Sequence, residues 1–343
     1  MSGIAVPWPI SVIIEPEVFI PLIYPGLLVL TLSLLGIIWL ERKLTAKVQR
    51  RYGPLYVVRM AGGVLQPLAD GVKFIFSEQI IPRRVYKLVF IFGPILLMTF
   101  SVLPVIGMPL SPAYAAITSD VSLLLVLALV VLAPMVLIMV AWGSNNKFSL
   151  IGGLREGYLM ISYEVPIILS LLAMAALYNS LNLVEITQAQ AGVWGIFLNP
   201  LAAIVLFIGI LIATGRFPFE IGEAETEIVA GWTTEYGSSL YIMNMATSYT
   251  RKYVMAHLFT LVFLGGWNPL PSFIPASGPF PGLMLFLKSM TVMALMVFFR
   301  SIYPRFRVDQ GVRIGWHKLF ILSMAAIVLS FLLVTLGVWG RTA

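Results

Sequence analysis

The chain contains no cysteine and only two histidines in 343 residues. Without thiolates it has no disulfide, no Cys-bound zinc, no Cys-ligated iron–sulfur cluster and no thiolate nucleophile. The two histidines, His257 and His317, are too few and too far apart to be read as a haem pair or a metal site. The chain therefore shows no obvious redox centre of its own. Charge is also scarce, at 11% of residues, against about 25% in ordinary soluble domains. A cleavable leader is not evident either. Residues 1–17 have no basic stretch and carry Glu15 and Glu17, so the first apolar segment is expected to be retained.

Apolar sequence fills the chain instead. Hydrophobic residues make up 59% and the mean hydropathy is +0.96, outside the soluble range. Crossing a hydrocarbon core takes about 20 residues of helix. Eight runs qualify, at roughly 18–40, 88–107, 121–142, 162–178, 198–214, 253–267, 283–299 and 317–338, the fourth and sixth being short. Backbone polar groups must be satisfied within lipid, so these runs are read as helices. The expected fold class is an all-α polytopic membrane protein with about eight transmembrane helices, residues 1–343 forming one membrane domain.

The net charge of +7 is unevenly spread. Of 22 basic residues, 20 fall in the segments after the first, third, fifth and seventh helices; the exceptions are Lys288 and Arg341. The positive-inside rule places those segments in the cytoplasm and both termini outside. The basic balance thus signals topology and contact with anionic lipid, not nucleic acid. The outer loops, 107–120, 179–197 and 268–282, are short, poor in charge and rich in Pro, Gly, Ala and Ser.

The cytoplasmic segments 41–87 and 215–252 carry the chemistry. In "GGVLQPLADGVKFIFSE", Val64, Leu65, Leu68, Val72, Phe74, Ile75 and Phe76 fall broadly along one helical face, with Asp70, Lys73 and Glu78 mostly elsewhere. That pattern is an amphipathic helix lying at the interface. Upstream, "LERKLTAKVQRRYGPLYV" places Glu41 and Arg42 at the end of the first helix, at the interface, followed by a cationic cluster. Such a cluster serves lipid anchoring and topology, or forms the mouth for an amphiphilic ligand. The sequence physics leaves both open.

Acids concentrate where the chain re-enters the apolar region. Glu220, Glu223, Glu225, Glu227 and Glu235 lie in "RFPFEIGEAETEIVAGWTTEYG". Spacings of three and four put Glu220, Glu223 and Glu227 on one face if the segment is helical, with Glu225 pointing elsewhere. Like charges so close favour partial protonation or pairing with Arg216 or the basic first loop. The plainer reading is a solvated acidic face. Glu164, in "MISYEVPIILSLLAMAAL", is an ionisable group within a span and so a functional candidate. Its alternative is a helix-start residue favoured by the helix dipole.

Together, "LERKLTAKVQRRYGP", "GGVLQPLADGVKFIFSE", "GSNNKFSLIGGLREGYLMISYEVPIILSL", "RFPFEIGEAETEIVAGWTTEYG" and "LFLGGW" resemble, in order, the family of membrane subunits called subunit 1 in respiratory complex I, the NADH-quinone oxidoreductases. The resemblance runs from about residue 18 to 335. It implies an eight-helix core that forms much of a quinone tunnel and begins the acidic route to the pumping subunits. It assigns Arg42, Arg51, Asp70 and Arg216 to the quinone side and Glu164 to the buried channel. The Glu220–Glu227 group and Glu235 belong to the acidic loop. Implied partners are hydrophilic-arm subunits holding flavin and iron–sulfur clusters, antiporter-like and small membrane subunits, lipid, and quinone as substrate. No cofactor is assigned to this chain. Two departures stand out: Gly237 occupies a serine position of the pattern, and "SLLLVLALVVLAPMVLIMVAWG" lacks a glutamate that some members carry. The relatives include subunits of deazaflavin-oxidising dehydrogenases. The competing readings are the equivalent subunit of an energy-converting hydrogenase and a stand-alone ion transporter.

Overall fold

The computed structural model describes residues 15–112, 114–117, 119–215, 217–271 and 278–337. A short helix α1 (Pro16–Leu22) runs into α2 (Leu27–Val48), and α3 (Gln66–Phe76) follows the first basic loop. Next come α4 (Lys87–Val102), α5 (Ser122–Gly143) and α6 (Lys147–Tyr178), then the short helices α7 (Leu183–Ala189) and α8 (Gly195–Leu198). The remainder comprises α9 (Pro200–Ala213), α10 (Glu225–Ile228), α11 (Ser238–Phe263), α12 (Gly282–Ile302), α13 (Val308–Arg313) and α14 (Phe320–Thr335). A π-helical turn, Ile314–Leu319, joins the last two. The protein is all-α and polytopic.

Among the described residues, six helical stretches are long and apolar enough to cross a membrane: Pro16–Val48, Lys87–Gly107, Ser122–Gly143, Lys147–Tyr178, Gly282–Ile302 and Val308–Thr335. The other two expected spans form α9, which is apolar but only 14 residues long, and α11, which is 26 residues long but carries Arg251, Lys252 and His257. The expected span 162–178 is only the apolar end of α6, and 253–267 takes the apolar end of α11 together with the four residues after it. Hydropathy found those ends and took their polar continuations for loop. In particular, the expected cytoplasmic loop 215–252 becomes helical at Ser238.

Helix α11 is the axis of the bundle. Every residue from Tyr249 to Phe263 is buried, because α11 packs against α2, α4, α9 and α12. A helix enclosed on all sides needs no amphipathic stripe. Around it, α6 is flanked by α5, α9 and α14. The crossing of α6 with α13 and the π-helical turn is set by Gly311 and Gly315, a small-xxx-small pair. A Cβ on Gly315 would lie 2.4 Å from the Ser162 carbonyl oxygen, and one on Gly311 would lie 2.8 Å from Leu159 Cδ2. The seam therefore closes one turn before Glu164. Asn199 tightens the same side: its side chain caps α9 at Ala202 N and donates to Ala326 O and Ser330 Oγ of α14.

The amphipathic helix lies at α3. Its Leu68, Val72, Ile75 and Phe76 are exposed. The first turn of α11 ties α3 down, with Ser238 Oγ donating to the Phe74 and Ser77 carbonyls.

Candidate functional site

A cavity of about 620 Å³ opens between the ends of α2 and α12, lined by Glu41, Arg42, Arg51, Phe217, Arg300 and Tyr303 among others. Arg42 ion-pairs with Asp70 of α3, and Gln66 donates to the other Asp70 oxygen at 2.9 Å. Burial pushes the Asp70 carboxyl up, but the bonds from Arg42 and Gln66 outweigh it and hold it below the ordinary aspartate value. Arg51 donates from Nε to Gln49 Oε1 at 2.7 Å. Arg42, Arg51 and Asp70 thus come together, with Asp70 acting behind Arg42 instead of lining the space. Arg216 lies outside the described residues.

Glu41 differs from the expectation of an interfacial residue. It is 6% exposed and takes an ion pair from Arg300 of α12, a hydrogen bond from Tyr249 Oη at 3.0 Å and a contact from Lys252 Nζ at 3.5 Å. The three donors reach it because α11 and α12 both pack on α2.

A second group lies on α6. Glu164 is not a helix-start residue, since α6 begins at Lys147 and Glu164 falls mid-helix. One of its oxygens is buried and without a hydrogen-bond partner. Beside it Tyr163 accepts from Arg251 Nη2 at 3.0 Å. Two turns earlier Glu156 is 3% exposed, with Arg251 and Glu223 as charged neighbours. Its carboxylate rests on loop backbone, so that a Cβ added at Gly215 or Gly222 would meet its oxygens at 3.4 and 3.2 Å. Glu156 and Arg251 were not among the sequence candidates. Their polar neighbours made both segments read as loop, and only the apolar residues following each at helical spacing hinted otherwise.

The acidic segment is not one helix. Its helical parts are Glu225–Ile228 and a short 3-10 turn at Gly231–Thr233, so Glu220, Glu223 and Glu227 do not share a helical face. Instead the chain folds back tightly on α6. A Cβ on Gly152 would lie 2.7 Å from Gly222 O, and one on Gly231, at φ +59°, would lie 1.8 Å from the same oxygen. Only glycine permits that approach. Glu225 is exposed, while Glu220 and Glu223 are half-buried. Glu227 is clamped by Arg155 of α6 at 2.5 Å and Arg305 at 3.0 Å. The Arg155 hydrogen bond holds its carboxyl below the ordinary glutamate range. Slight burial opposes this, and the charges of Arg155, Arg305 and Arg307 reinforce it. Glu235 accepts from Asn146 Nδ2, while Asn146 Oδ1 caps α6 at Phe148 N. The five loop glutamates thus separate into two anchors, Glu227 and Glu235, and three others, of which Glu223 faces Glu156. Among the described residues no group of His, Asp and Glu could hold a metal ion.

Known proteins resemble this chain over most of its length. The chain is 37% identical over 340 residues to the H subunit of the F(420)H(2) dehydrogenase of Methanosarcina acetivorans, covering 93% of this chain and 97% of that one. It is 36% identical over 301 residues to the protein of the same name from Methanosarcina mazei, covering 84% and 85%. It is also 37% identical over 295 residues to the H subunit of the NADH-quinone oxidoreductase of a Geobacillus species (strain WCH70), covering 85% and 87%. The family model described as NADH dehydrogenase matches residues 22–331, which takes in the cavity, the acidic segment and both Glu156 and Glu164 of α6. The chain is therefore a membrane protein of the NADH dehydrogenase family.

Proposed function

We propose that this chain is the membrane subunit of a complex I-type oxidoreductase, where it forms the quinone tunnel and the start of the path coupling quinone reduction to proton translocation. The observation that carries this reading is the pairing of a cation-lined cavity with two acids on α6, Glu156 buried and Glu164 half-buried, α11 standing between them. Reducing a quinone to its quinol takes two electrons and two protons. In this reading the electrons come from flavin and iron–sulfur clusters in hydrophilic-arm subunits, whose donor is a nicotinamide or a deazaflavin.

The residues of this chain then supply charge and protons. Arg42, Arg51 and Arg300 stabilise negative charge developing on the quinone oxygens in a site partly closed to water. Asp70 keeps Arg42 oriented. Arg216, beside Phe217 in sequence, belongs to the same side. Proton supply runs from the loop acids Glu220, Glu223 and Glu225 to Glu156, and from there to Glu164 and the antiporter-like and small membrane subunits. Glu227 and Glu235 hold the loop against α6 so that Glu223 stays near Glu156. The basic loops face the cytoplasm and anionic lipid, and both termini face out.

Arg51 tests the cavity without threatening the fold, because its side chain is exposed. In the native complex, Arg51→Ala should raise the quinone KM roughly tenfold, the worth of one charge-assisted hydrogen bond. Electron transfer from the donor to a water-soluble acceptor should persist. Equal loss of both activities would mean that the arms have separated and the assignment has no support. Hydrogen evolution by the purified complex in place of quinone reduction would establish the hydrogenase alternative.

A further inference from the structure

A second cavity, of about 800 Å³, opens where α6, the acidic segment and α13 meet. Four arginines line it, Arg155, Arg305, Arg307 and Arg313, against the carboxylates of Glu227 and Asp309. Glu227 is already shared by Arg155 and Arg305. Arg307 and Arg313 are exposed and make no ion pair among the described residues. The cavity is therefore left with excess positive charge.

The local chain explains this placement. Arg305 and Arg307 both face the cavity, while Phe306 between them packs on Phe219 at 5.2 Å. Gly311 and Gly315 bury one side of the next stretch against Leu159 and Ser162, so Arg313, Trp316 and His317 are turned outward. An apolar groove of about 990 Å³ continues from the cavity between α9 and α12. Phe306 lines both spaces, and the π-helical turn serves both, with Trp316 and His317 at the cavity and Ile314 and Lys318 at the groove. In the groove Phe207 meets Phe299 edge to face at 5.5 Å, beside the buried Phe259. Ile204 and Leu295 are exposed along it.

We propose that the cavity and the groove together hold one anionic phospholipid, its phosphate against Arg307 and Arg313 and an acyl chain against Phe207 and Phe299.

The physical case is the continuity of two unlike surfaces. Guanidinium forks match the oxygens of a phosphate, and apolar walls favour a hydrocarbon chain over water. A free phosphate would satisfy the arginines and leave the groove bare. A neutral amphiphile would fill the groove and leave the arginines without a counter-charge. A phospholipid with an anionic head satisfies both. Trp316 stands at the junction, and tryptophan is a residue type that marks the membrane–water boundary. Basic pockets between membrane helices are suited to lipid head groups, and a π-helical turn is a rare element found mostly at functional sites. The site does not rest on the quinone reading above.

The test uses the intact complex in phosphatidylcholine vesicles, with trace phosphatidylglycerol carrying a photoreactive diazirine on one acyl chain. After irradiation, mass spectrometry should place adducts on α9 and α12, at residues such as Ile204 and Leu295. Phosphatidylcholine carrying the same diazirine should label them roughly tenfold less, and R307Q/R313Q should cut labelling by phosphatidylglycerol to a similar extent. Unlabelled phosphatidylglycerol should compete, whereas inorganic phosphate and a neutral quinone should not. If R307Q/R313Q does not assemble, Ile204→Trp decides: by filling the groove from an exposed position it must lower labelling of α12 with every arginine in place. Equal labelling by the two probes would make this ordinary surrounding lipid, and displacement by inorganic phosphate would make it a soluble-anion site. Displacement by the quinone would make it a quinone site, and absence of adducts in the intact complex would mean that a neighbouring subunit fills the groove. Any of these four results, or unchanged labelling in an assembled R307Q/R313Q or Ile204→Trp complex, overturns the inference.

Discussion

A carboxylate in the middle of an apolar span costs a few kcal/mol on insertion scales, and α6 carries two, Glu156 and Glu164. Glu164 is legible in sequence because apolar residues follow it almost without interruption to Leu177. Glu156 is hidden by Arg155, Gly157 and Tyr158, which give its neighbourhood the look of a connector. Arg251 and Lys252 are hidden for a related reason. A pair of cations near an apolar run ordinarily marks the cytoplasmic edge, and here they sit within the bundle because Glu41 and Tyr163 receive them. Removing only the titrating proton separates relay from packing. Glu164→Gln should abolish or greatly slow coupled turnover while assembly is retained, and Glu164→Asp should be milder. Normal quinone reduction and normal pumping in an assembled Gln variant would reduce Glu164 to a packing residue.

At the level of elements, the segment 217–237 behaves as a strap over α6. Pro218 O accepts from Phe306 N at 2.9 Å, Ser149 Oγ donates to Trp232 O at 3.0 Å, and Tyr236 stacks on Phe90 at 4.3 Å. Its acidic composition was readable from sequence, but its path was not. The path depends on backbone approach at Gly152, Gly222 and Gly231, contacts between residues far apart in the chain that no local spacing reports. The Glu227 clamp has a definite pH signature. Its folded pKa is depressed, so its contribution is fully present above the ordinary glutamate value of about 4.3 and is lost as pH falls through the lower folded value. Around neutral pH Glu227 stays charged and carries no proton. Protease nicking of the strap should therefore be flat from about pH 8 to 6 and rise only below about pH 4. Glu227→Gln should already nick faster at neutral pH, and unchanged nicking would show that the two arginines contribute nothing measurable.

For the whole molecule, the charge asymmetry that reads as topology is testable directly, because the chain has no cysteine of its own. Cysteines placed singly at Lys47 and Ala191, both exposed, should label from opposite faces of sealed vesicles, and labelling of both from one face would sink the proposed orientation. The length of α6 carries one more consequence. Glu156 and Glu164 are eight residues apart on one helix, roughly 12 Å along its axis, out of a hydrocarbon thickness of about 30 Å. A proton handed from one to the other would cross a large fraction of the transmembrane electric field, and moving a unit charge over that span is worth about 1 kcal/mol per 100 mV. On the proposed route the membrane potential would act on this transfer itself, so that turnover in sealed vesicles would slow as the potential builds, before any charge reached the neighbouring subunits.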